Sequence, residues 1–184
     1  TAVPVVIPYS DDSCTAYLFG GLVSDLDTND PPDGPISDRT WSFFTASTVV
    51  TDLLINEVDS DTPGNDTAEF VELFDGGTGD TSLNGLVLVL FNGSTGKSDR
   101  AVDLSGQRTS SNGYFVIGNS GVNGSDLTLL DATIQNGPDA VALYVGSSAD
   151  FPNGTSVTNL GLVDALVYGA EGSSAPVLMT LLEP

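Results

Sequence analysis

Leu53–Phe74 reads LLINEVDSDTPGNDTAEFVELF, and this stretch decides the fold class of the chain. Two short apolar segments, Leu53–Val58 and Phe70–Phe74, flank a loop of Asp, Asn, Gly and Pro. This pattern predicts two β-strands joined by a polar connection. From Glu57 to Asp75 the chain carries seven carboxylates and no cation, which favours a connection that attracts metal ions.

The composition of the whole chain extends this interpretation. Across 184 residues there are 25 acidic and 4 basic side chains, a net charge of −21. Such a balance excludes nucleic-acid binding through phosphate contacts, which needs clustered Lys and Arg, and it disfavours an anionic membrane surface. The 21 Gly and 10 Pro interrupt the chain too often for long helices. Val, Ile, Thr, Phe and Tyr fill the segments between them, which is typical of an all-β protein.

Two further features concern the setting of the chain. The longest apolar run, Leu86–Phe91, is far shorter than the ~20 residues of a spanning helix, so we expect no membrane insertion. Cys14 is the single cysteine, which rules out an internal disulfide and leaves packing or metal as the stabilising device. Because the chain begins at Thr1 rather than Met, we expect a processed or excised segment.

Residues 52–184 are predicted to form one β-sandwich. Apolar segments separated by turn signals recur about every ten residues, and six Asn-Gly pairs supply the positive φ that tight turns need. No helix longer than two turns is expected. The predicted core comprises Leu54, Val71, Leu73, Val87, Val89, Phe115, Ile117, Val141, Leu143 and Leu166.

Several short motifs follow one another along this second unit: INEV at 55–58, EFVEL at 69–73, DLSG at 103–106, GYFVIG at 113–118, NGPDAVAL at 136–143 and LVDALVY at 162–168. In these motifs and their order the unit resembles the lamin tail domain, an immunoglobulin-like sandwich common in secreted bacterial proteins. The resemblance implies an immunoglobulin-like fold.

Residues 1–46 are a separate unit, joined to the second by a linker at 47–51. Val3–Pro8, Cys14–Val23 and Thr40–Thr45 are predicted strands. The pattern TAYLFGGLVSDLDTNDPPD followed by WSFFT resembles the last part of a bacterial immunoglobulin-like domain. The expected architecture is therefore an immunoglobulin-like sandwich preceded by a partial immunoglobulin-like unit, whose few strands leave a sheet edge open.

Catalytic arrangements are mostly excluded. The absence of His removes Ser-His-Asp and Cys-His catalysis and His-bound zinc. The segment GSTGKS at 93–98 lacks the first Gly of a phosphate-binding loop and leads into a strand, so it is predicted to be a hairpin loop. Glu69 and Glu72 are three residues apart on a strand and therefore point to opposite faces. We expect no enzyme activity.

Calcium is the chemistry that the sequence supports, because clustered carboxylate and amide oxygens suit a hard cation. Two loops are candidates, and for each the alternative is a solvated acidic turn. The first set of ligands is Asp25, Asp27, Asn29, Asp30 and Asp33. The second set is Glu57, Asp59, Asp61, Asp66 and Glu69, with Asn65 beside them.

Three functions fit these observations. The first is a calcium-stabilised, non-catalytic structural or adhesion module of a secreted or surface multidomain protein. The second is an accessory domain of a secreted nuclease or phosphatase. The third is a fibre subunit that exchanges strands between chains through open sheet edges. The expected partners are other domains or copies of an extracellular protein, and the expected location is extracellular or at the cell surface.

Overall fold

The computed structural model of the protein describes residues 13–22, 37–44, 52–169 and 174–183. The chain divides into two compact units, Thr1–Thr48 and Val49–Pro184. The strands are β1 Ser13–Leu18, β2 Arg39–Phe44, β3 Leu54–Asp59, β4 Phe70–Phe74, β5 Leu86–Asn92, β6 Lys97–Asp103, β7 Tyr114–Asn119, β8 Leu127–Leu129, β9 Asp139–Val145 and β10 Leu162–Tyr168. Short 3-10 turns occur at Gly20–Leu22 and Ser148–Asp150, and helix α1 spans Pro176–Leu182.

In the first unit, β1 and β2 form an antiparallel pair. The pairing runs from Ser13 opposite Phe44 to Leu18 opposite Arg39. The first strand is shorter than its predicted range of 14–23, because the Gly-Gly at 20–21 starts a 3-10 turn. The predicted strand Val3–Pro8 lies outside the described residues.

The second unit is a β-sandwich, which confirms the predicted all-β, immunoglobulin-like fold. Its two four-stranded sheets have the orders β10-β9-β5-β6 and β3-β4-β7-β8. Every neighbouring pair is antiparallel except β7 and β8. Alternate residues of both sheets meet in the core, as period-2 side-chain alternation requires. Helix α1 has seven residues, so the described residues contain no helix longer than two turns.

The sheet β10-β9-β5-β6 is covered on both faces. Its inner face contributes Leu88 and Leu143 to the core between the sheets. Its other face packs against α1 and the segment after β9 in a second apolar cluster, whose buried members include Val87, Val89, Phe91, Ala140, Ala142, Tyr144, Phe151, Val157, Leu178 and Leu182. This double coverage explains the uninterrupted apolar sequence of β5 and β9.

Most of the predicted core is buried, and one residue was assigned wrongly. Leu54 is 50% exposed, while its neighbours Leu53 and Ile55 are buried between the sheets. The exposure of Leu54 follows from the alternation of side chains along the strand, because successive side chains point to opposite faces and only one set can face the core. Val87 and Val89 are buried, but they belong to the cluster under α1 rather than to the core between the sheets.

Turns follow the Asn-Gly pairs with one exception. Gly85, Gly113, Gly124, Gly137 and Gly154 have positive φ, as predicted. Gly93 does not have a positive φ. A glycine is needed there because a Cβ would lie 1.9 Å from the carbonyl oxygen of Pro138. The segment 93–96 joins β5 to β6, so the predicted hairpin loop is confirmed.

The described edges of the two sheets make side-chain and loop contacts. The N–H of Ile55 in β3 donates to Asp164 Oδ2 at 2.7 Å, which joins the edges of the two sheets. On β10, the N–H of Val167 donates to Glu183 Oε1 at 2.6 Å. At the other end of this sheet, Lys97 of β6 bridges to Ser156. These contacts blunt edges that would otherwise pair with another chain. None of the helices in the described segments is long and apolar enough to span a membrane.

The register of β3 predicts a contrast between two adjacent leucines. Leu53→Ala should lower the free energy of unfolding by about 2–5 kcal/mol, because it opens a cavity in the core. Leu54→Ala, on the exposed side, should cost less than about 1 kcal/mol. Urea unfolding of the two variants measures both values, and equal costs would contradict the assigned register.

Candidate functional site

The first set of predicted calcium ligands, Asp25, Asp27, Asn29, Asp30 and Asp33, lies outside the described residues. The second set lies in or beside the connection between β3 and β4, residues 60–69, which the structure describes throughout.

The β3–β4 connection is organised by its own Asp side chains. Asp59 Oδ1 accepts the N–H of Asp61 at 3.3 Å, and Asp66 Oδ1 accepts the N–H of Thr62 at 3.2 Å. Asp61 Oδ1 also accepts from the Asn136 amide at 3.1 Å. Side chains of Asp commonly stabilise turns in this way. The connection therefore folds on itself and contacts the segment before β9.

The five carboxylates of the second set occupy different environments. Glu57 is exposed on the solvent side of β3, whereas Glu69 is fully buried. Asp59, Asp61 and Asp66 are exposed or half-buried in the connection. Within the described ranges, no three Cys, Asp or Glu side chains come together in a group that could hold a metal ion. Calcium at either loop stays a prediction.

Glu69 holds the segment before β9 against the start of β4. Its Oε2 accepts the N–H groups of Thr133 at 3.0 Å and Ile134 at 3.3 Å, while Oε1 is buried with no hydrogen-bond partner. Burial raises the pKa of the Glu69 carboxyl, the two N–H groups lower it, and the charge of Asp66 raises it further. Asn119 fixes the Glu69 backbone on both sides: its side chain accepts the N–H at 2.7 Å, and its N–H donates to the carbonyl at 2.9 Å.

Asp75 organises the glycine-rich turn that follows β4. Its carboxylate accepts the N–H groups of Gly77 and Gly79 at 3.0 Å, and the hydroxyl of Thr109 donates to Oδ2 at 2.7 Å. Burial alone would raise the pKa of Asp75, but hydrogen bonds from Thr81, Thr109, Gly79 and Gly77 together hold it below its ordinary value. The ionised form is therefore the one that the fold stabilises.

Asp139 is the third buried carboxylate, at the start of β9. Its Oδ1 accepts the N–H of Gly93 at 2.7 Å and its Oδ2 that of Gly137 at 3.1 Å. Burial raises the pKa of the neighbouring Tyr168 phenol, and the charges of Asp139 and Glu69 add to this effect. All three buried carboxylates accept backbone N–H groups of loops. These hydrogen bonds stabilise the loops, and they leave the three carboxylates poorly placed to exchange protons with a substrate.

The solvent-facing side of sheet β3-β4-β7-β8, called the outer face below, carries an apolar row. Leu54, Phe74 and Tyr114 lie side by side across β3, β4 and β7. The rings of Phe74 and Tyr114 stack with centroids 4.6 Å apart and an interplanar angle of 28°. Leu54 is 50% and Tyr114 38% exposed, so this row is open to solvent.

A charged row adjoins the apolar one. Glu57 of β3 lies directly opposite Glu72 of β4, which in turn lies opposite Val116 of β7. The amide of Asn56 donates to Glu72 Oε1 at 2.7 Å. The outer face thus combines stacked aromatic rings with two adjacent carboxylates.

Sequence reasoning missed the outer face. Phe70, Glu72 and Phe74 alternate with the buried Val71 and Leu73, so period 2 placed them together on the solvent side. The signal was present within β4. What it could not supply was the register that brings Tyr114 beside Phe74 and Glu57 beside Glu72, because pairing partners come from strands distant in sequence.

A match to a known protein family covers strands of both sheets. A family model described as Lamin Tail Domain matches residues 46–164, which is more than half of the chain. The chain belongs to the lamin tail domain family. This family is a non-catalytic immunoglobulin-like module.

The extent of the match leaves two parts of the chain outside it. The first 45 residues precede the match, so their resemblance to an immunoglobulin-like domain stays a prediction. Helix α1 and the second half of β10 follow the matched residues, and here they cover and extend the lamin tail sandwich. A search of curated proteins finds no significant match to the chain.

Asp75 predicts a defined dependence of stability on pH. A carboxyl whose pKa is lowered by folding contributes stability above its unfolded value, 3.8, and loses that contribution as pH falls through the lower folded value. Asp75→Asn should therefore lower the free energy of unfolding by about 1–3 kcal/mol at neutral pH. The difference in the free energy of unfolding between the native chain and this variant should shrink at pH values below the unfolded pKa. Urea unfolding across acidic and neutral pH measures it.

The matched control is Asp99→Asn, which removes the same charge from an exposed position on β6. A difference between native and Asp75→Asn chains that stays constant into acid would show that the buried carboxylate is not stabilised in its ionised form.

Proposed function

We propose that this lamin tail domain chain is a non-catalytic structural or adhesion module of an extracellular or surface-attached multidomain protein. The observation that carries the proposal is the outer face: three strands hold an exposed apolar row and a carboxylate row in fixed register. Rigid, exposed and chemically mixed surfaces of this kind serve recognition by other macromolecules.

The non-catalytic part of the proposal draws on the buried carboxylates. Glu69, Asp75 and Asp139 each accept backbone N–H groups of loops, and Glu72 lies on the opposite side of the sheet from the core. Turnover of DNA, phosphate esters or glycosides by the purified chain, abolished by a point mutation within it, would contradict the proposal.

The location is open to a direct test. An antibody raised against the chain should label intact, unpermeabilised source cells or detect the protein in their medium. A net charge of −21 favours a well-solvated protein in a salt-containing medium, where cations screen self-repulsion. Signal that appears only after lysis would contradict the extracellular location.

The proposal includes stabilisation by calcium. The segment from Glu57 to Asp75 holds seven carboxylates without a cation, and the 25–33 loop holds four more. In the β3–β4 connection, Asp59, Asp61 and Asp66 would have to turn toward one ion, giving up the hydrogen bonds that they make in its absence. Mutual repulsion of the carboxylates favours that rearrangement once a divalent cation is bound.

Calcium should therefore raise the melting temperature of the chain. Binding to the folded state alone at a hundredfold excess over Kd contributes about 2.7 kcal/mol, a shift of several degrees for a protein of this size. Replacing Asp59 and Asp66 by Asn should remove the part of the shift that comes from the β3–β4 connection. Replacing Asp27 and Asp30 should remove the part from the 25–33 loop. Differential scanning calorimetry measures each shift.

Monovalent salt at matched ionic strength is the control, because screening alone also relieves repulsion. If EDTA leaves the melting temperature unchanged and calcium adds nothing beyond the salt control, both loops are solvated acidic turns and the calcium part of the proposal is wrong.

A further inference from the structure

The two carboxylates of the outer face stand in an arrangement that is unfavourable in isolation. Glu57 and Glu72 are direct cross-strand neighbours, and like charges in that position destabilise a sheet. Asn56 binds one oxygen of Glu72 and so holds this carboxylate in place. A positive charge brought from outside would turn the repulsion into two attractions.

The cations of the second unit have their described positions and contacts away from Glu57 and Glu72. Lys97 and Arg100 lie on β6, which belongs to the other sheet. The guanidinium of Arg108 donates to the carbonyl of Asp80. None of these three cations makes a described contact with Glu57 or Glu72.

The aromatic row beside the carboxylates indicates which kind of cation would suit the outer face. Phe74 and Tyr114 are stacked, Phe74 half-buried and Tyr114 exposed, and Phe74 lies two residues from Glu72 on the same side of β4. That spacing corresponds to about 7 Å along the strand. A guanidinium suits this pair of features best, since it is planar, stacks on aromatic faces and binds carboxylates through a fork of N–H donors.

We propose that the outer face binds an arginine side chain presented by a peptide segment of a partner protein. The guanidinium lies over the Phe74–Tyr114 stack and donates to the carboxylates of Glu72 and Glu57, while Leu54 contacts the aliphatic part of the peptide. This rests on the proposed function as a binding module and names the chemistry of its partner. A second copy of the chain is a poor occupant, because 25 acidic residues stand against 4 basic ones.

Chemical-shift mapping on the full, isotopically labelled chain tests the proposal. The probe is the peptide acetyl-GGRGG-amide, and its matched control carries citrulline, which keeps the shape of arginine and removes its charge. The arginine peptide should cause saturable shifts at residues of the outer face, and the citrulline peptide should cause none. A lysine peptide should bind more weakly, because an ammonium does not stack as a plane.

Variants separate this site from general charge attraction. Glu72→Gln should weaken arginine binding about two- to fivefold, as loss of one exposed ion pair allows. Tyr114→Leu should weaken it by a similar factor of about two to five, whereas Tyr114→Phe should keep it, since the ring face is retained. Asp99→Asn on β6 removes the same charge and should leave binding unchanged. Melting temperatures near that of the native chain establish that the variants are folded.

Three outcomes would overturn the proposal: shifts absent from the outer face, equal binding of the citrulline peptide, or equal weakening by Asp99→Asn and Glu72→Gln. Outer-face shifts that depend on protein concentration without peptide would also overturn it, because they would identify a second copy as the occupant. None of these outcomes alters the antibody test of location, so failure here is distinct from failure of the proposed function.

Discussion

The buried carboxylate of Glu69 is the contact on which much of the lamin tail sandwich depends. It lies at the start of β4, where it accepts two backbone N–H groups of the segment leading into β9, while Asn119 fixes its own backbone. One residue thus joins three parts of the unit: its side chain holds the approach to β9, and its backbone at the end of the β3–β4 connection is held by Asn119 at the end of β7. The cost is a desolvated charge with one oxygen unpartnered, and the gain is that long loops are tied to the sheets at a single point.

Two other buried carboxylates bind loop N–H groups as Glu69 does, so the acidic side chains of the described residues fall into a buried group and an accessible group. Asp75 and Asp139 also accept N–H groups from glycine-containing turns, so part of the negative charge is buried and structural. The other acidic side chains of the described residues are exposed or half-buried, and among them Glu57 and Glu72 adjoin the aromatic rings of the outer face. A protein without disulfide bonds within its chain can order its many loops in this way.

Much of this architecture could be predicted from the sequence, and the exceptions have physical causes. The strands, the hairpin at 93–96 and the doubly buried β5 follow from local alternation, glycine placement and apolar runs. The prediction that Leu54 is buried is wrong because an apolar pair, Leu53 and Leu54, leaves the inward-facing member undecided until pairing is known. Glu69 is predicted as a metal ligand, which stays a prediction, but its hydrogen bonds to backbone N–H groups 64 residues away could not be predicted, because in sequence it looks like any other acidic loop residue. The outer face needed the register of three strands, which a local pattern does not contain.

The claim that buried carboxylates hold the loops of this sandwich is tested most directly by amide hydrogen exchange. The N–H groups of Thr133 and Ile134 lie outside any strand, and their hydrogen bonds go to Glu69. If the account is right, they should exchange within about tenfold of the rate of core strand amides such as that of Val141, since both open with the fold. Exchange of Thr133 and Ile134 at the rate of an unstructured peptide, with Val141 still protected, would contradict it.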